Sequence, residues 1–332
     1  MKPLFGAVLT VLTLSLSSTL AIATPALEVL GKDFTFPHQL NGLPNKLSDL
    51  KKLQINQFKT SDGVTLRYWE LGSGTPLIFI PGWSANGAEY INVMSILAEH
   101  YRVIVLDQRN QGLSDKTAYG NRIARYAMDL KELNDHLGVT SAYYCGWSMG
   151  ASVLWSYIDL FGSKTIRKAV FVDEPVAIVA RANWSELERR NAGALVPSAD
   201  ALIHGLQQPL PKELDPQTTN FIIRSRLRDS PYFDNSEQFA DSVIKNDPAA
   251  MLQVMYDHAS NDWSDVIRHK IDIPVAIFTG EYSANVASQR WMHSVIPDSR
   301  LFIYSKKQQG DHFLMFKNPF KFTDDLRGFL EK

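Results

Sequence analysis

From Pro76 onward the chain alternates short, unbroken apolar runs with stretches of helical spacing, and that alternation leaves few folds open to it. "PLIFI", led by Pro76, "RVIVLD" (102–107), "SAYYCGWS" (141–148) and "KAVFVD" (168–173) read as strands. Between them, "AEYINVMSILAEH" (88–100), "RYAMDLKELNDHLG" (125–138) and the run from Met149 to about Phe161 read as helices, with Gly138 and Gly162 as stops. A strand with no polar alternation is buried on both faces, and strands joined through helices run parallel. The pattern predicts an α/β protein: a mostly parallel, eight-stranded sheet flanked by helices.

The rhythm has a prelude and an interruption. Residues 24–52 are polar, proline-bearing and without a period, a lead-in to the patterned region. "LQINQFKT" and "VTLRYWELG" flank Ser61-Asp62-Gly63 and predict a hairpin. At about residue 175 the alternation stops. Residues 176–267 carry "WSELERRNAGAL", "ADALIHGLQQ", "FIIRSRLRD" and "DPAAMLQVMYDHA", all helical in spacing and none beside a strand-like run. The sheet pattern resumes with "IPVAIFTG" (273–280), a helix near "VASQRWMHSVI" (286–296), "RLFIYS" (300–305) and a last helix over 321–332. The expected organisation is a lead-in (24–52), a first core segment (53–175), a helical cap (176–267) lying over one end of the sheet, and a second core segment (268–332).

Residues 1–23 have the form of an export signal. Lys2 supplies the positive end, an apolar stretch follows, and Ala21-Ile22-Ala23 offers a small-x-small cleavage site. Cleavage would leave an exported, periplasmic or secreted protein with no stable membrane insertion. The alternative is an uncleaved anchor, since Leu4 to Ala23 is about long enough to span a bilayer. Cys145 is the only cysteine, which excludes an internal disulfide and leaves stability to the core. With 45% hydrophobic residues the chain has the apolar mass for that. A formal net charge of -1 argues against nucleic acid as a partner.

Gly146-Trp147-Ser148-Met149-Gly150 fits G-x-S-x-G between a predicted strand and a predicted helix. That context gives the motif its meaning. A serine on a tight strand-to-helix turn projects its hydroxyl beyond the carboxyl ends of the strands, where open sheets bind ligands. The flanking glycines let the two chain segments approach. The Met149 N–H, at a helix N-terminus, is placed to stabilise an oxyanion.

From Leu53 to Lys332 the chain resembles the α/β-hydrolase superfamily, on four pieces. "GWSMG" corresponds to the nucleophile elbow, "IPGWSANG" (80–87) to the oxyanion loop, "DQRNQGLSD" (107–115) to the turn after the fourth strand, and "GDHFLMFKNPFKFTDDLRGFL" (310–330) to the histidine loop and closing helix. Two positions depart from the family: Pro81 replaces the histidine that opens the oxyanion loop, and Asn110 replaces a glycine. Because that hole is made of backbone groups, Trp83 and Met149 remain its implied donors. Asp107, Arg109 and Ser114 read as turn-holding residues, and Trp147 as a pocket-lining one.

The resemblance implies Ser148 as nucleophile and His312, in "GDHF", as its base. The other seven histidines match no catalytic motif, although His258 or His204 is placed to face the pocket from the cap. The family's acid usually follows the seventh strand in Gly-x-x-Asp, but here the run is Gly280-Glu281-Tyr282-Ser283. Some members place the acid at the end of the sixth strand, and aligning from Ile166 puts Asp173 there. Glu281 and Glu174 are the alternatives. The implied activity is cleavage of a small-molecule ester or lactone, without cofactor or metal. The elbow and histidine loop are similar to those of cofactor-free haloperoxidases, so perhydrolase or acyltransferase chemistry is a variant. A ligand-binding relative with weak turnover is the competing class.

Overall fold

Eight strands carry the apolar runs: β1 (Gln54–Lys59), β2 (Thr65–Leu71), β3 (Pro76–Ile80), β4 (Arg102–Asp107), β5 (Ala142–Trp147), β6 (Ile166–Val172), β7 (Val275–Gly280) and β8 (Ser299–Tyr304). They form one sheet in the order β1-β2-β4-β3-β5-β6-β7-β8. Only β2 runs against its neighbours; the pairings from β4 to β8 are parallel. This is the α/β arrangement expected of the sequence. The computed structural model describes residues 23–208, 225–227, 229–243 and 246–332. Apart from Ala23, the signal-like stretch lies outside the described residues, as do residues 221–224 and 228 of "FIIRSRLRD". Ser225–Leu227 of that run are not helical, contrary to the spacing. Among the described residues no helix is long and apolar enough to cross a membrane.

The helices are α1 (Ala26–Leu30), α2 (Ile91–Leu97), α3 (Ile123–Leu137), α4 (Met149–Phe161), α5 (Glu186–Ala192), α6 (Ala199–Leu206), α7 (Pro231–Ser242), α8 (Pro248–Ser260), α9 (Ser264–His269), α10 (Val286–Val295), α11 (Leu314–Lys317) and α12 (Pro319–Leu330). The sheet separates two cores, and the strands alternate between them. In β3, Leu77 and Phe79 join a core with α2, α7 and α12. Ile78 and Ile80 join the opposite core with α3, α4 and α9. The same alternation runs through β4, β5 and β6. It explains the unbroken apolar runs within these strands: there both faces are interior.

Local departures have local causes. Residues 88–90 lie in a 3-10 turn and α2 starts only at Ile91. Asn86 caps the Ala88 N–H, the Gly87 N–H is tied to Asp107 at 2.7 Å, and a Cβ on Gly87 would fall 2.0 Å from the Trp69 ring. These anchors tighten the first turn. The lead-in is also more ordered than its composition suggests. Ala26, Phe36 and Leu47 are buried, and His38 reaches Asp234 on α7 at 2.6 Å. Helix α7 itself has no apolar signature, because Asn235, Ser236 and Glu237 occupy buried positions.

Candidate active site

Ser148 links β5 to α4 with φ 51° and ψ -134°, a backbone region that residues other than glycine seldom occupy. The motif glycines serve proximity. A Cβ on Gly146 would fall 2.5 Å from the Gly150 carbonyl oxygen, and one on Gly150 would fall 2.0 Å from the Ile80 carbonyl oxygen. Gly82 allows the loop after β3 to lie against the serine, since its Cβ would stand 3.0 Å from Ser148 Cβ. We expect Gly150→Ala to lower unfolding stability by about 2 kcal/mol or more, read as a fall in denaturation midpoint. An unchanged midpoint would contradict the packing account.

The structure brings together Ser148, His312 and Asp173. His312 Nε2 lies 3.1 Å from Ser148 Oγ, and Nδ1 lies 2.6 Å from Asp173 Oδ2. Asp173 follows β6, fully buried, with φ 53°. Its carboxylate also accepts from Thr279, from Ser283 Oγ at 2.7 Å and from Asn285 Nδ2 at 3.2 Å. Ser283 occupies the position where the family usually has its acid, and its hydroxyl donates to the carboxylate that serves from β6.

The other two carboxylates are elsewhere. Glu281 is exposed, with no contact to His312 among the hydrogen bonds of the described residues. Glu174 is buried against His258 of α8, 3.2 Å from its Nε2, and accepts from Ser152 Oγ at 3.1 Å. His204 is exposed on α6, whereas His258 lines the pocket. Asp311 turns away from its neighbour His312 to meet the buried Lys317 ammonium at 3.0 Å. Thr279, Asn285 and Lys317 carry no sequence motif, and only the fold makes them part of the site.

The pocket encloses about 320 Å³ and is lined by Trp83, Trp147, Ser148, Glu174, His258 and His312, among others. Trp147 has two roles: it borders the pocket and donates through Nε1 to the His312 carbonyl at 2.9 Å, fixing the histidine loop. Trp83 and Met149 come from segments following β3 and β5, neighbouring strands in which Ile80 faces Gly146. Cys145 is buried beneath the elbow, and burial raises its thiol pKa well above the ordinary value. In the turn after β4, Asp107 accepts from the N–H groups of Gly87 and Leu113, and Arg109 is paired with Asp129 at 2.6 Å. Asn110 has φ 65°, the left-handed conformation that asparagine tolerates in place of glycine.

A family model described as "alpha/beta hydrolase fold" matches residues 75–206. The chain has the α/β-hydrolase fold. It is 24% identical over 277 residues to the non-heme chloroperoxidase CPO-A1 of Kitasatospora aureofaciens, across 82% of this chain and 98% of that one. A non-heme haloperoxidase of Rhodococcus erythropolis is 31% identical over 113 residues, covering 34% of this chain and 41% of its own. Solved structures of other proteins share the fold. Bromoperoxidase from Bacillus anthracis gives a TM-score of 0.67 at 23% identity, over 84% of this chain and 100% of that one. An esterase from Exiguobacterium antarcticum gives 0.66 at 19%, over 83% and 99%.

On this α/β-hydrolase fold the histidine is tuned by opposing influences. Burial lowers the His312 pKa, but the Asp173 hydrogen bond and charge, with Glu174 and Asp311, outweigh it and raise the net value above the ordinary 6.5. A neutral imidazole is required to accept a proton. We therefore expect kcat/KM to fall with decreasing pH along a limb whose midpoint lies above 6.5. Stability runs the other way. The contribution of the raised pKa is complete below the unfolded-state value and is lost as pH rises through the folded one. Paired pH profiles of kcat/KM and thermal unfolding would check both signs.

Proposed function

We propose that this protein is a serine hydrolase that cleaves a carboxylic ester or lactone through an acyl-enzyme on Ser148. The observation that carries the reading is the linked series Ser148–His312–Asp173, at 3.1 and 2.6 Å, on a strained turn that opens into a pocket. Ser148 Oγ attacks the carbonyl carbon and its proton passes to His312 Nε2. The N–H groups of Trp83 and Met149 hold the oxyanion. Asp173 accepts from His312 Nδ1 and stabilises the imidazolium. The alcohol leaves with the proton from His312. Water then attacks the acyl group, again with His312 as base, releasing the acid and restoring the serine.

The esterase and peroxidase names among the similar proteins support acyl chemistry on this frame. The peroxidase names also favour a second outcome at the same acyl-enzyme, in which hydrogen peroxide replaces water and the product is a peracid. Incubation with a fluorophosphonate probe tests the first reading: a single adduct mapped to Ser148, with turnover across an ester and lactone panel, is expected. No adduct and no turnover would leave a binding protein. We also propose export after cleavage behind Ala23, on the strength of Lys2, the apolar stretch and Ala21-Ile22-Ala23. The mass of the protein recovered from cells would show whether that segment is removed.

A further inference from the structure

The carboxylates around the pocket are matched by cations and donors of the fold itself. Asp173 has His312, Thr279, Ser283 and Asn285. Glu174 has His258 and Ser152. Asp311 has the Lys317 ammonium at 3.0 Å and Ser225 Oγ at 2.8 Å. Among the described residues, one charged group in the lining has no charged partner. Arg226 is exposed, borders the same pocket as Ser148 and His312, and has no carboxylate partner among the described residues. Its guanidinium donates through Nη1 to the Tyr282 carbonyl at 3.2 Å.

Its place and its tether separate this arginine from a solvated surface cation. The Arg226 backbone N–H donates to Asp311 Oδ2 at 3.1 Å, and the Leu227 N–H donates to the same oxygen at 3.0 Å. Asp311 is held in turn by the buried Lys317 and directly precedes His312. The backbone that carries this cation is therefore tied to the loop that carries the imidazole. Much of the remaining lining is apolar, including Trp83, Trp147, Ile178, Leu195, Met255 and Phe313. A volume of about 320 Å³ lies at the small end for ligand pockets.

A guanidinium presents a rigid fork of donors that matches a carboxylate. We propose that Arg226 binds an anionic group on the substrate, so that the site takes esters or lactones carrying a free carboxylate on a short chain, such as a monoester of a small dicarboxylic acid. The assignment rests on the serine-hydrolase reading for the scissile bond, and on Arg226 alone for the charge.

The test compares monomethyl glutarate with methyl pentanoate, which differ at the far end of the acyl chain. The wild-type protein is expected to prefer the anionic ester, and Arg226→Gln to lower the ratio of the two kcat/KM values about tenfold, mainly through KM. Arg226→Lys should keep part of the preference, and added salt should erode it in the wild type. An unchanged ratio in a folded Arg226→Gln protein, or a wild-type ratio indifferent to salt, overturns the assignment. A second arm needs no turnover. Calorimetric titration of Ser148→Ala with both esters should show tighter binding of the anion, lost in Ser148→Ala/Arg226→Gln. If the wild type neither hydrolyses ester nor takes the fluorophosphonate, the hydrolase reading fails, and the calorimetry still decides the role of Arg226.

Discussion

Ser148→Ala is expected to lower ester turnover by a factor on the order of 10⁶, the scale of losing the nucleophile of a preorganised site. The substitution removes one oxygen and leaves the backbone requirement unchanged, because alanine meets the same constraint at φ 51° as serine does. Gly82, Gly146 and Gly150 still allow the segments to pack, so the denaturation midpoint should stay near that of the wild type. The informative quantity is the initial rate at saturating ester, compared with the background reaction in buffer. Residual turnover within tenfold of the wild type would mean that another group forms the acyl bond, or that none forms. His312 would then lose its assigned role as well, since its Nε2 faces that hydroxyl in the Ser148–His312–Asp173 series.

Asp173→Asn should cost on the order of 10⁴ in kcat, while Glu281→Gln should leave turnover close to the wild type. The asparagine amide oxygen can still accept from Thr279, and the Ser283 hydroxyl, which meets the other carboxylate oxygen, can turn to accept from the amide N–H₂. What changes is the group facing His312 Nδ1. An amide N–H₂ there favours the tautomer with its proton on Nε2, and Ser148 then faces a donor where it needs an acceptor. Asparagine also tolerates the φ of 53° at this position, which makes it a cleaner replacement than alanine. The acid limb of the pH profile supplies a second readout: without the Asp173 charge it should move to lower pH. A loss confined to Glu281→Gln would transfer the role to the exposed carboxylate and overturn the assignment of Asp173.

The sheet was legible because its central strands β3, β4, β5 and β7 are interior on both faces and the connecting helices show their own spacing. Met149–Phe161 is bounded by the serine and glycine that the sequence marks. Other features were less visible, and the reasons are physical. Helix α7 hides its buried face behind Asn235, Ser236 and Glu237. The lead-in is anchored by contacts nearly two hundred residues away, from His38 to Asp234 and Asn235. Three carboxylates were candidates for the acid because a motif fixes position along a strand but not the direction of a side chain. Burial, a strained backbone and four donors converging on Asp173 single it out in three dimensions. Asp311 and Lys317 lie six residues apart, yet their ion pair involves Ser225 from the segment before β7, a link that no local pattern encodes.

The hydroxyl of Ser283 has a consequence for how such a site can change. A carboxylate introduced there would stand within contact distance of the one already present, and two anions crowded on one imidazole edge repel until one takes up a proton. Moving the anion from strand six to strand seven therefore cannot proceed through a comfortable halfway point. One single replacement sets a second carboxylate beside the imidazole, and the other removes the only one.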